Sequence, residues 1–192
     1  MATETQYEAV ADALNNLIEL NYDRERGYIK ASEDVEDADL KPLFRSLSED
    51  SAKYATELAD YVRQLQGTPS TGQTLSGKVH QVWLDIKAAI SGRDRDAVLG
   101  SAQFGDKTAV EAYDKVIDMD KVQMIPELVS TLRRQRDGIQ RGLGVISTVK
   151  HDDEDRTDGS SGYASTVTTS NETDFTGVRT GGGHVDPISG NY

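Results

Sequence analysis

The chain contains no cysteine, so a disulfide framework, a thiolate metal site and a cysteine nucleophile are all excluded. Proline is nearly as scarce, with four in 192 residues, and aromatic side chains make up only 6%. No stretch approaches the roughly 18 apolar residues that a membrane-spanning helix requires. The opening "MATETQYEAV" lacks a basic region followed by an apolar run, so no signal peptide is read there. A soluble cytoplasmic protein, not associated with membrane, is the expectation. Positive charge is the minority sign: 21 Lys and Arg stand against 33 Asp and Glu, for a net charge of −12. Binding to nucleic acid needs clustered cations to neutralise phosphates, and this balance argues against it.

The acidity is concentrated at one end. Residues 1–150 carry 25 acids and 19 bases, whereas residues 151–192 carry 8 acids and 2 bases. Composition changes abruptly after Lys150, where "HDDEDRTDGSSGYASTVTTSNETDFTGVRTGGGHVDPISGNY" begins. Its isolated apolar residues cannot bury enough surface to offset the entropy of chain ordering. Two regions follow: a helical bundle over 1–150 and a disordered, acidic, Gly/Ser/Thr-rich tail over 151–192. The tail serves as a spacer, or as a partner contact through Tyr163, Phe175 and Tyr192.

What remains is helical throughout. The first predicted helix runs from Tyr7 to Glu36, with Tyr7, Val10, Leu14, Leu17, Asn21, Glu25 (or Arg24) and Tyr28 on one face. Asp39 is positioned to cap the second, and Pro42 falls in its first turn, where a missing N–H costs little. That helix reaches Gln66 with a seam of alternating four- and three-residue steps, Leu40, Phe44, Leu47, Ser51, Tyr54, Leu58, Tyr61 and Leu65, the narrow stripe of a bundle helix. "GTPSTG" then stops the chain. A short helix over 76–91 carries Val79, Val82, Trp83, Ile86 and Ile90, with Trp83 read as a packing anchor. Asp94 can cap the next helix, which carries Val98, Ala102, Asp106, Ala109, Tyr113 and Val116. Pro126 opens the last, with Leu128, Val129, Leu132, Ile139, Leu143 and Ile146. Two helical hairpins joined by one long crossover that bears a short extra helix is the ferritin-like arrangement of a four-helix bundle. The predicted fold is therefore all-α.

Each long helix also carries polar residues near the middle of its seam. Taking the hairpin turns near residues 37 and 121 places Glu25 level with Asp50 and Ser51, and Asp106 beside Arg136 and Asp137. Gln103 falls beside Gln140. A carboxylate-bridged di-iron site in this fold needs a Glu from each of two helices and a Glu-x-x-His pair from each of the others. The three histidines, His80, His151 and His184, lie outside the long bundle helices as predicted. Glu25, Asp50 and Asp106, with Glu19 nearby, are thus the candidate ligands for iron or manganese. The competing expectation is a polar core layer of Asn21, Glu25, Ser51, Gln103, Asp106 and Arg136 that needs no cofactor. No catalytic residue is assigned. Without strands in the body there is no Gly-rich phosphate loop, and without histidine on the bundle helices no Ser-His-Asp arrangement. "DDEDRTDG" lacks the spacing of a calcium loop. "RRQRDGIQR" is the one basic patch, better suited to an acidic helix or a second subunit than to nucleic acid.

Several runs together, "LNNLIELNYDRERGYIKASEDVEDADLKPLF", "GTPSTGQTLSGKVHQVWLDIKAAISGRDRDAVL" and "GDKTAVEAYDKVI", resemble the PA2169-type four-helix-bundle family (DUF2383) over roughly residues 6 to 149. Gly67, Leu75, Ser76, Gly77, His80, Trp83 and Asp85 carry the likeness. The resemblance implies a ferritin-like fold and, by analogy with that fold, a link to stress physiology, but no reaction. Gln103 and Lys107 stand where acids are expected in such relatives, which puts metal binding in doubt for this chain. The leading expectation is a non-enzymatic bundle acting by association with itself or with a protein partner. Glycines at 138, 142 and 144 of the last helix are a candidate close-approach surface for a second subunit.

Overall fold

The computed structural model describes residues 2–72, 88–89, 91–92 and 94–161. Four long helices dominate them: α1 (Ala2–Asp34), α2 (Leu40–Gln64), α3 (Arg95–Ile117) and, after the single-turn α4 (Asp120–Gln123), α5 (Pro126–Ser161). No strand occurs among the described residues. The predicted crossover helix falls mostly outside them, including His80 and Trp83. Ala88, Ala89 and Ser91 are helical, and Ala89 is buried.

Local chemistry sets the boundaries. The Asp94 carboxylate accepts from the Ala97 N–H at 2.9 Å, as an N-cap should. Asp39 departs from that expectation: its side chain makes no cap hydrogen bond. Arg95 instead donates to both of its oxygens, at 2.9 and 2.6 Å, and also pairs with Asp37 at 2.9 Å. Those hydrogen bonds from Arg95 hold the Asp39 carboxyl below its ordinary range despite some burial, and they tie the start of α3 to the α1–α2 turn.

At its far end α2 closes on Gln66, whose φ of 61° is the left-handed conformation that usually goes to glycine. Gln66→Gly is expected to stabilise the fold by about 1 kcal/mol, because a β-carbon there is strained. An unchanged urea midpoint would count against that.

The last helix runs past the expected boundary. The backbone stays helical to Ser161, so residues 151–161, assigned to the tail from composition, continue α5. A helix already nucleated adds one hydrogen bond per residue, and this run contains no proline to stop it. Residues 162–192, with Tyr163, Phe175 and Tyr192, lie outside the described residues.

The helices pair as two antiparallel hairpins, and the interior forms two apolar clusters rather than one. The first joins Leu14, Leu17 and Ile18 of α1 to Leu58 and Val62 of α2, Ala109 and Tyr113 of α3, and Leu128, Leu132 and Ile139 of α5. The second joins Tyr28 and Ala31 to Leu40, Phe44 and Leu47, Leu99 and Ala102, Ala89 and Ile146. On α1, α2 and α3 a gap of about two turns separates the two clusters, and polar residues fill it, whereas on α5 buried Gly142 and Leu143 occupy the interval.

Candidate functional site

The gap on α1 follows from its own periodicity. Val10, Leu14, Leu17, Asn21, Arg24, Tyr28, Ala31 and Val35 alternate steps of four and three, and all eight are buried. Position 24, rather than 25, therefore faces the core. The Arg24 guanidinium donates through Nε and Nη2 to Asp106 Oδ1 of α3, at 3.1 and 2.9 Å, and through Nη1 to Ser51 Oγ of α2 at 2.9 Å. Ser51 Oγ in turn donates to the Leu47 carbonyl at 2.6 Å. The Tyr28 hydroxyl donates a third hydrogen bond to Asp106 Oδ1, at 2.7 Å. Its ring lies 5.5 Å from the guanidinium carbon and stacks on Phe44 at 5.7 Å. Asp106 has no solvent exposure, and its Oδ2 accepts no hydrogen bond from the described residues.

One turn along α1, a second chain of bonds begins. Asn21 Nδ2 donates to the Tyr113 hydroxyl and to the Leu17 carbonyl, both at 2.7 Å. Tyr113 donates to Gln135 Oε1 at 2.9 Å, and Gln135 Nε2 donates to Glu57 at 2.8 Å. Arg134 reaches the same Glu57 oxygen from the surface at 2.6 Å. All four long helices are thereby linked through their centre.

The electrostatics follow from that closure. Burial works against the Arg24 charge, but Asp106 and Tyr28 outweigh it and hold the guanidinium above its ordinary range. Burial raises the Tyr28 phenol well above 10, and the Asp106 carboxylate adds to the shift. Burial likewise raises Tyr113, although Asn21 and Arg24 oppose it. For Glu57 burial favours the neutral form, yet hydrogen bonds from Arg134 and Gln135 win and lower it. Because Tyr28 and Tyr113 keep their protons in the folded state above the pH at which the unfolded chain loses them, their contribution is complete below about pH 10 and declines as pH rises through the folded values. Alkaline absorbance titration should show these two phenols ionising only with loss of helicity. Ionisation of every tyrosine in a chain that is still helical would contradict this.

The predicted site residues divide. Asn21, Ser51 and Asp106 meet in the buried layer, in the company of Arg24, Tyr28, Tyr113 and Gln135. Glu25 is half-buried, its main-chain carbonyl accepting from Ser48 Oγ at 3.0 Å. Asp50 is exposed. Gln103 bonds Ser147 Oγ at 2.9 Å, away from the layer. Arg136 pairs with Asp114 at 3.0 Å on the outer side of the α3–α5 hairpin. Register explains the last two. Pairings such as Gln103–Ser147 and Asp114–Arg136 centre that hairpin on Met124 or Ile125 rather than on Lys121, because α4 lengthens the turn. Gly142, not Arg136, thus stands opposite Asp106, and a β-carbon on it would lie 3.7 Å from Oδ2.

Glu19 faces away from the layer. It accepts from the Ser70 hydroxyl, while Asn15 holds the same segment through the Thr68 carbonyl and Ser70 N–H. Hard divalent cations need several converging oxygen donors, with imidazole for iron. Here one buried carboxylate faces a guanidinium, and among the described residues no group of three or more His, Asp or Glu is placed to hold a metal ion. This donor set does not fit an iron or manganese pair.

Residues 9–119 match a family model described as Domain of unknown function (DUF2383). The chain belongs to this family. The matched segment takes in α1, α2 and α3, hence Arg24, Tyr28, Ser51 and Asp106, whereas α5 of this DUF2383 chain lies beyond it. No curated protein matches the chain. No helix among the described residues of this DUF2383 protein is long and apolar enough to cross a membrane.

Proposed function

We propose that this DUF2383 chain is a non-enzymatic helical bundle, cytoplasmic and free of cofactor, that acts by association with itself or with a protein partner. The observation that carries the reading is the closed Arg24–Asp106–Tyr28–Ser51 layer. A catalytic centre in a bundle of this kind is built from inward-facing groups that remain available to a metal or substrate. Here Arg24, Tyr28 and Ser51 are committed to one another and to Asp106 Oδ1, and what the chain offers to other molecules is chiefly its surface. A role in stress physiology is part of the proposal and rests on the ferritin-like resemblance alone.

The second reading, a carboxylate-bridged iron or manganese oxidase or store, keeps Glu25, Asp50 and Asp106 as ligands. Its support is the unpartnered Asp106 Oδ2. Elemental analysis of protein expressed with iron and manganese supplementation separates the two. The association reading expects background metal. About two ions per chain, lost in Glu25→Ala and Asp50→Ala variants, would replace it with the metal reading.

A further inference from the structure

We infer that two copies of the chain pair through α5, antiparallel, about a two-fold axis near Ile146 and Ser147. This rests on the association reading above and names the partner, the surface and the register.

The surface lies beside the bundle seam of α5. Leu132, Gln135, Ile139, Leu143 and Ile146 face the interior, whereas Arg134, Arg141, Val145, Thr148 and Asp152 are exposed. With Gly138 between the two arginines, the positions 134, 138, 141, 145, 148 and 152 repeat steps of four and three. That spacing is the stripe by which one helix packs along another.

The stripe is chemically asymmetric in the way a two-fold pair requires. Its N-terminal half carries Arg141, and its C-terminal half carries Asp152. Its middle is Val145, 49% exposed, and Thr148, whose hydroxyl is satisfied within the helix by the Gly144 carbonyl at 3.1 Å. An isologous interface must be complementary to itself. Reversing a second copy on this stripe sets Val145 against the partner's Thr148 and Arg141 against the partner's Asp152. Gly144, with nothing within 4 Å of a β-carbon built on it, leaves the axis open to a close approach.

Arg134 already donates to Glu57 at 2.6 Å, so Arg141 is the arginine the stripe offers to a partner, and the acidic run of the same helix does not reach it. Arg141 and Asp152 are eleven residues apart on one continuous helix, about 16 Å along its axis. A groove of about 400 Å³ flanks the stripe, walled by Arg134, Arg141 and Val145 of α5 and by Leu43, Asp50 and Lys53 of α2. Asp50 competes for Arg141, but Lys53 leaves the wall with an excess of positive charge for the partner's acidic end. In a chain of net charge −12, such a site selects an acidic helix.

Sedimentation equilibrium of the full chain across the micromolar range tests this. A dimer is expected. Arg141→Asp and Asp152→Arg should each weaken it by at least about tenfold, and Val145→Asp should do the same. The double variant Arg141→Asp with Asp152→Arg should recover it, since the pair is restored with its signs exchanged. All three sites are exposed, and circular dichroism verifies the fold. A monomer would overturn the inference, as would a dimer indifferent to these substitutions. An indifferent dimer would remove this surface while leaving the association reading in place, whereas about two metal ions per chain would remove that reading itself.

Discussion

Asp106→Ala is expected to lower the free energy of unfolding by about 3–5 kcal/mol, among the largest effects available to a single substitution in this chain. The loss is not simply the worth of an ion pair. It strands the Arg24 guanidinium in a buried site, and it removes the acceptor of the Tyr28 hydroxyl. Because two buried charges gain little net stability over apolar groups of the same volume, the triple variant Arg24→Met, Tyr28→Phe, Asp106→Leu should recover most of the loss. It would fuse the two apolar clusters into one. Urea unfolding with matched m-values reads both effects. A change below about 1 kcal/mol for Asp106→Ala would mean that water reaches the layer and that Arg24 is not buried as the structure has it.

The second large effect separates three glycines within one helix. A β-carbon at Gly138 would overlap the Tyr54 hydroxyl and lie 3.1 Å from its Cζ, and one at Gly142 would lie 2.7 Å from Leu47 Cδ2. Both glycines bring α5 close to α2 of the same chain, a use of glycine that composition had suggested for a second subunit. Tyr54 is a rigid ring held in the core, so overpacking at 138 should cost about 1–3 kcal/mol. That exceeds the roughly 1 kcal/mol that alanine gains over glycine in a helix. Within its own chain Gly144→Ala meets no obstacle, and in the monomer it should stabilise by about 1 kcal/mol. Thermal melts of the two variants are therefore expected to move in opposite directions. A rise at Gly138→Ala equal to that at Gly144→Ala would show that α2 and α5 have room to separate.

Much of the fold was legible because it is written locally. The four- and three-residue alternation on α1 and α2, the Asp94 cap, the Pro126 start and the long interval between hairpins are each set by neighbours within a few positions of one another. Helices read well from sequence for that reason. Even the residue at the centre of the layer had a signal: strict continuation of the α1 stripe from Asn21 to Tyr28 passes through Arg24, and only the alternative step of four selects Glu25.

The partners across the layer were not legible. Which residue faces Asp106 depends on the length of the turn between α3 and α5, and α4 shifts that register by nearly two helical turns. Glycine then replaces arginine as the neighbour. Gln135 joins the network because Tyr113 and Glu57 converge on it from two other helices, which no spacing within α5 encodes.

By itself, then, the sequence determined that this is an all-α chain of amphipathic helices with polar interruptions in their stripes, because amphipathicity and capping are short-range. Only the tertiary structure decided that those interruptions meet one another as Arg24, Asp106, Tyr28 and Ser51 in one buried layer. Burying a guanidinium requires donors and acceptors from three helices to meet at hydrogen-bond distance, and that meeting is fixed by turn length and packing rather than by any run of residues.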